Sequence, residues 1–336
     1  MLRQKSTVVA LGGFIAPFLG GFAASYWYFE LSLLVSLFIG GTLTATSIGI
    51  TIRTLSDLNR HQSDEGQVTL GAAVLDDILG VILLALLYDF SVNGNIDLMS
   101  AGRVFLFVAI FFCLAPILAK LFSRIIQILD KRINDPGLIP TTIVALVLFF
   151  AWLAHLFGAP ELLGGFAAGL ALSLRFFLPF GIALHSSPKF SHKVEVQIKP
   201  IVQLFTPIFF VSVGLSMDLR SVDWSSSFLW EFSLILLVLA ICTKFAGALL
   251  ISEPLAKRIV IGMSMVPRGE VGLIFAGLGA SANIFTNEVY TALIMVIAYT
   301  TVLSPFWIKL YYKKYGHLLG DIEKTKGNTD YGATFL

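Results

Sequence analysis

Ten stretches of predominantly apolar residues follow one another along this 336-residue chain, at 8–28, 31–54, 68–88, 103–123, 138–156, 159–178, 200–217, 228–252, 259–282 and 287–311. At about 1.5 Å of rise per residue, a helix of roughly 20 residues crosses the hydrocarbon core of a bilayer. Lipid offers no partner to a free backbone N–H or C=O, so a helix that satisfies its own is the expected form. The chain is therefore expected to be an all-α polytopic membrane protein with about ten transmembrane helices. Composition agrees, with 57% hydrophobic and 13% charged residues and a mean hydropathy of +0.85. A soluble domain cannot hide that much apolar surface. The first stretch is long and lacks a polar cleavage region, which makes it a span rather than a signal peptide.

Basic residues set the orientation, because Lys and Arg accumulate in cytoplasmic loops. With the N-terminus inside, 19 of the 23 basic residues fall on the inner side, and Arg103 and Arg220 fall outside. The remaining two, Lys244 and Arg268, fall inside spans. Both termini are expected to be cytoplasmic. Cys113 and Cys242 stand alone in apolar segments and predict neither a disulfide framework nor a metal site.

The run AVLDDILGVILLALL, residues 73–87, carries two adjacent aspartates, Asp76 and Asp77, and no other ionisable group. Counted along the helices, Asp76, Lys244 and Arg268 each lie about 12–13 Å from the inner edge, with Glu270 beside the last. Charges at that depth are costly, are reduced in cost by pairing, and mark functional sites. Neighbouring helical residues point about 100° apart, so the two aspartates cannot share one partner equally. One is expected to pair with Lys244 and the other to face a wet cavity. A structural salt bridge needs only one aspartate; the second argues for function.

Two spans carry helix-breaking patterns. FIGGTLTATSIGITIRTL crowds Gly40, Gly41, Thr42, Thr44, Thr46, Ser47 and Gly49 into its middle, and GMSMVPRGEVGLIFAGLGAS is interrupted by Pro267, Gly269 and Gly272 around its charges. Interrupted helices in corresponding positions of two halves point to the midplane site of a secondary transporter. Their half-helix ends carry partial charges and are expected to leave carbonyls free for an ion. The first three and last three spans run in opposite senses, as an inverted repeat would.

With these residues in view, TATSIGITIRTL, GAAVLDDILGVILLALL, PELLGGFAAGLALS, TPIFFVSVGLSMDL, CTKFAGALL and MVPRGEVGLIFA together resemble the bacterial sodium/proton antiporters of the monovalent cation:proton antiporter superfamily, over about residues 5–311 and in the same order. The resemblance implies an inverted-repeat fold with two broken crossing helices. It implies that Asp77 binds either Na⁺ (or Li⁺) or H⁺, and that Asp76 is the partner of Lys244. Thr44, Ala45, Thr46 and Ser47 match the unwound part of the first crossing helix. Pro267, Arg268, Gly269 and Glu270 match the second. The two-aspartate form implies electrogenic exchange. The family also has about three spans ahead of the one starting near Val8, and by this resemblance the chain is expected to lack them. By the same resemblance, residues 1–102 and 226–311 form the ion-binding core, 103–137 a linker helix and loop, 138–225 what remains of a scaffold and dimerisation domain, and 312–336 a polar cytoplasmic tail.

The function expected is alternating-access exchange of Na⁺ or Li⁺ for H⁺ in a bacterial-type inner membrane. Na⁺ is its transported metal, lipid its surroundings and a homodimer its assembly. No cofactor and no nucleic acid are expected. A K⁺/H⁺ antiporter and an inactive or partner membrane fragment are the alternatives. An enzyme is not expected: Ser47 and Ser264 have no histidine at their depth, and there is no phosphate-binding glycine loop. The segment 185–199, HSSPKFSHKVEVQIK, reads as a solvated cytoplasmic loop, and Glu161 as an acid near the outer surface at the start of a span.

Overall fold

The computed structural model describes residues 2–93, 137–156, 188–215, 217–220 and 222–319, with isolated helical positions between 102 and 169. Among the described residues the structure is helical, without strands. The helices are α1 (Leu2–Ala23), extended by a π-turn at Ala24–Tyr28, α2 (Leu33–Thr44), α3 (Ile48–Asp57), α4 (Asp64–Asn93), α5 (Leu138–Leu156), α6 (Pro188–Leu215), α7 (Ser227–Cys242), α8 (Phe245–Leu249), α9 (Leu255–Ser264), α10 (Glu270–Ser281) and α11 (Asn287–Tyr315), which ends in a 3₁₀ turn at Gly316–Leu319. Among the described residues, seven segments are long and apolar enough to cross a membrane. They correspond to the first, second, third, fifth, seventh, eighth and tenth expected spans. The ninth is split into α9 and α10. The fourth and sixth lie outside the described residues, apart from isolated positions.

Local chemistry sets several ends. Ser32 caps α2 by accepting from the Val35 N–H, and Thr286 caps α11 by accepting from the Val289 N–H. Such caps satisfy donors that a helix leaves orphaned at its start. α4 opens with Asp64 and Glu65, and α11 closes with Lys313 and Lys314, matching the polarity of each helix end.

Two segments depart from expectation. Residues 188–199 are helical, not the loop expected at 185–199: they form the first turns of α6, and 185–187 lie outside the described residues. Pro188 opens this helix, where a missing N–H costs nothing. The polar tail expected from Tyr312 is helical as far as Leu319, and the rest of it lies outside the described residues. Tyr312 and Leu319 are buried with Leu55, Val260 and Ile308, and this apolar contact carries the helical path on to Leu319.

The chain divides into two units, Met1–Leu83 with Met217–Leu336, and Leu84–Ser216. In the second, Ile139 and Ile143 of α5 pack with Val194 of α6 and Ile126. There Glu161 pairs with the exposed His155 at 2.8 Å. In the first unit, α1 and α7 run antiparallel. Phe29, after the end of α1, stacks edge-on against Phe228 and Phe232 of α7, and the Tyr28 hydroxyl donates to Glu231 at 2.6 Å. At the opposite end Lys5 meets Glu253 at 2.5 Å. Exposed Tyr26, Trp27, Tyr28, Trp224 and Trp230 gather at the first end, as rings do at a membrane interface. Next to the Lys5 end lies an apolar cluster of Val9, Ala10, Val68, Ala72, Ala73, Ala248, Ile251, Ile261 and Met265, drawn from α1, α4, α8, α9 and the segments just after α8 and α9.

Candidate ion-binding site

The site forms where two interrupted helices cross. α2 stops at Thr44 and α3 resumes at Ile48; α9 stops at Ser264 and α10 resumes at Glu270. Both breaks fall within the patterns read from the sequence. The two unwound segments then bond to each other. The Ser47 N–H donates to the Pro267 carbonyl at 2.8 Å, the Thr46 hydroxyl to the Met265 carbonyl at 3.1 Å, and the Thr51 hydroxyl to the Ser264 carbonyl at 2.8 Å. The backbone freed by each break is thus satisfied by the other, which is the condition for irregular chain at membrane depth. Gly269 is required here: a Cβ at that position would lie 2.7 Å from Ser47 Oγ and 2.8 Å from Ser47 Cβ.

Lys244 sits in a turn between α7 and α8, an interruption the sequence reading missed. Its ammonium donates to Asp76 Oδ2 at 3.1 Å and to the Thr44 carbonyl at 2.5 Å. Both side chains of the ion pair are 0% exposed. The expected pairing of one aspartate with Lys244 is therefore present, and the aspartate is Asp76. The other oxygen, Asp76 Oδ1, is buried and makes no hydrogen bond of good geometry among the described residues. Asp77 differs as its helical phase requires. It is only partly buried, and its charged neighbours are Asp76, Glu270 and Lys244. Gly80, one turn further along α4, brings that helix against Val271 of α10. Glu270 itself is exposed at the start of α10 and accepts from the Ser47 hydroxyl at 3.3 Å.

Arg268 does not pair with Asp77. Its buried guanidinium donates to the carbonyls of Leu43 and Ala45 at the end of α2 and to that of Ala240 in α7. With Lys244 on Thr44, three successive carbonyls at the C-terminal end of α2 are held by resident cations. This corrects the expectation that this half-helix end leaves its carbonyls free for an ion. The cause is electrostatic: the negative end of the helix dipole is buried beside two cations, which take it. One residue that contacts this site went unread in the sequence. The Thr301 hydroxyl of α11 donates to the Arg268 carbonyl. The signal for it was the Thr300–Thr301 and Ser304–Pro305 group in the last span, hydroxyl-rich like the two interrupted helices although α11 runs through it unbroken.

Chemically, the site offers one carboxylate that is fully buried and neutralised by an ammonium, beside a second that is partly open and has no cation of its own in hydrogen-bond contact among the described residues. Fold and site together define a membrane protein built around crossed, interrupted helices and an intramembrane carboxylate pair. The chain belongs to the sodium/hydrogen exchanger family of transmembrane proteins, which it matches over residues 2–314. The high-affinity Na⁺/H⁺ antiporter NhaS3 of Synechocystis is 31% identical over 309 residues, covering 91% of this chain and 64% of that protein. This chain thus spans just under two thirds of that relative. The Na⁺/H⁺-K⁺ antiporter GerN of Bacillus cereus is 34% identical over 316 residues, covering 91% of this chain and 75% of that protein. The solved sodium proton antiporter MjNhaP1 of Methanocaldococcus jannaschii shares the fold, with a TM-score of 0.62 at 15% identity over 94% of this chain and 78% of that one.

Proposed function

We propose that this chain is a secondary transporter, not an enzyme, and that it exchanges Na⁺ or Li⁺ for H⁺ across a bacterial-type inner membrane with both termini cytoplasmic. The observation that carries the reading is the asymmetry of the aspartate pair. Asp76 is sealed against Lys244, whereas Asp77 is partly open and has no such partner among the described residues. A hard cation or a proton satisfies Asp77, but not both at once, so each displaces the other. Water, Asp77 and the side-chain oxygens of the crossing complete the cation's shell; the carbonyls at the end of α2 do not, because Arg268 and Lys244 hold them. Release of a second proton from Asp76, as Lys244 lets go, makes the exchange electrogenic. Alternating access follows from rocking of the core that carries the crossing. Lipid and a second copy of the chain are the partners of this reading.

The test is cation-induced collapse of a preset pH gradient in proteoliposomes, with wild type and Asp77→Asn side by side. Collapse by Na⁺ or Li⁺ in wild type and none in the variant is the expected result. A variant as active as wild type would remove Asp77 from the mechanism. The relative named as a Na⁺/H⁺-K⁺ antiporter favours a second reading, exchange of K⁺. Collapse by K⁺ in the same vesicles, at equal concentration, decides between them.

A further inference from the structure

α1 carries no acid or base between Lys5 and Glu30, and nothing in its sequence suggests a part in ion binding. Yet it touches each of the three elements that meet at the Asp76–Lys244–Thr44 contact. It is tied to the aspartate helix α4 by the Ser6 hydroxyl, which donates to the Val68 carbonyl at 3.1 Å, and Gly71 of α4 lies close against that hydroxyl. It meets the lysine segment backbone to backbone: a Cβ on Gly12 would lie 2.5 Å from Gly247 Cα, and one on Gly247 would lie 2.4 Å from the Val9 carbonyl oxygen. Gly247 is one turn beyond Lys244. The stem of Lys244 runs past Gly13, its Cδ 3.8 Å from where a Cβ would be, and Gly20 lies against Thr243. Gly21 faces Leu43 and Gly40 of α2, beside the carbonyl that Lys244 holds. The far side of α8 is fixed too, because Phe245 packs on Gly262 of α9.

We infer that α1 acts as a spacer that sets the separation of the ammonium of Lys244 from Asp76 and the Thr44 carbonyl, with Gly12 and its counterpart Gly247 as positioning residues. Its functional consequence rests on the exchange reading above. A methyl at Gly12 or Gly247 cannot be absorbed by rotation of a side chain, since backbone faces backbone. Normal contact between carbons is about 3.5–4.0 Å, so α1 and α8 must part by on the order of 1 Å. Displacements of that size at a reacting centre cost up to about 100-fold in turnover.

The experiment compares wild type, Gly12→Ala, Gly247→Ala and Gly214→Ala in proteoliposomes across a pH series. A methyl at Gly214 meets nothing within 4 Å. Gly12→Ala and Gly247→Ala are expected to displace the pH profile of exchange and to lower its maximum by on the order of tenfold or more; Gly214→Ala keeps the wild-type profile. An unchanged profile in folded Gly12→Ala and Gly247→Ala would overturn the proposal. A second readout does not need transport. Melting temperatures of Gly12→Ala, Lys244→Met and their double variant form a cycle. If α1 acts through Lys244, the double variant loses clearly less than the sum of the singles. Additive losses would mean that α1 packs without positioning, and the inference fails. Should Lys244→Met not fold, Asp76→Asn, which keeps the shape, takes its place in the cycle. A silent wild type sinks the exchange reading alone, and the melting cycle still decides the role of α1.

Discussion

At the scale of single residues, the site is a problem of neutralising buried charge. Lys244 and Asp76 are each inaccessible to water, and each is tolerated because the other is there. Lys244→Ala leaves a buried carboxylate without its hydrogen-bonded countercharge, and removal of one partner of such a pair typically costs about 3–5 kcal/mol. It should lower the melting temperature in detergent much more than replacing both residues with neutral ones of similar size. Arg268 is held to a different standard. Its planar fork reaches carbonyls on two elements, a geometry the point charge of lysine cannot reproduce. Arg268→Lys should therefore destabilise the protein despite keeping the charge, and thermal unfolding checks it. Asp76, Asp77, Lys244 and Arg268 were all legible in the sequence, because an ionisable residue in an apolar run has few reasons to be there. What they bind was only partly legible. The partners of Arg268 are backbone carbonyls, and every residue has one; only the folded chain says which are orphaned.

At the scale of elements, the two breaks are one structure. Each supplies the hydrogen-bond partners that the other lacks, and Gly269 lets them approach. Gly269→Ala forces a methyl into Ser47 and should abolish exchange while leaving helix content unchanged, as circular dichroism beside the vesicle assay would show. Both breaks could be read from clustered glycine, hydroxyl and proline residues, because these weaken a helix locally. The turn at Lys244 could not, since CTKFAGALL holds a single threonine and a single glycine rather than a cluster of them. The first turns of α6 were read as loop for the converse reason. Their charges and Pro188 look solvent-bound in isolation, whereas a helix whose later turns are anchored in an apolar environment carries its polar start along with it.

At the scale of the whole molecule, the proposed exchange has protons and cations meet at one carboxylate. The apparent KM for Na⁺ should therefore rise as the pH falls, with the maximal rate less affected, and initial rates measured over a pH series check it. The shape of that curve belongs to the coupled aspartates and lysine rather than to any one of them. The alternation of apolar spans and basic loops made the architecture legible, because a bilayer imposes a period that a soluble core does not. The contribution of α1 stayed hidden, because contact between two glycine backbones leaves no chemical signature in either strand of sequence. One further property follows from the nine-residue apolar cluster beside the ion pair. Val9, Ala10, Val68 and their neighbours occupy the layer between Asp76 and the Lys5 end of the bundle. A file of water needs polar partners to persist, and those side chains supply none. On the exchange proposed above, such a cluster would insulate the carboxylates on that side, and a proton leaving Asp76 would take the route the cation uses.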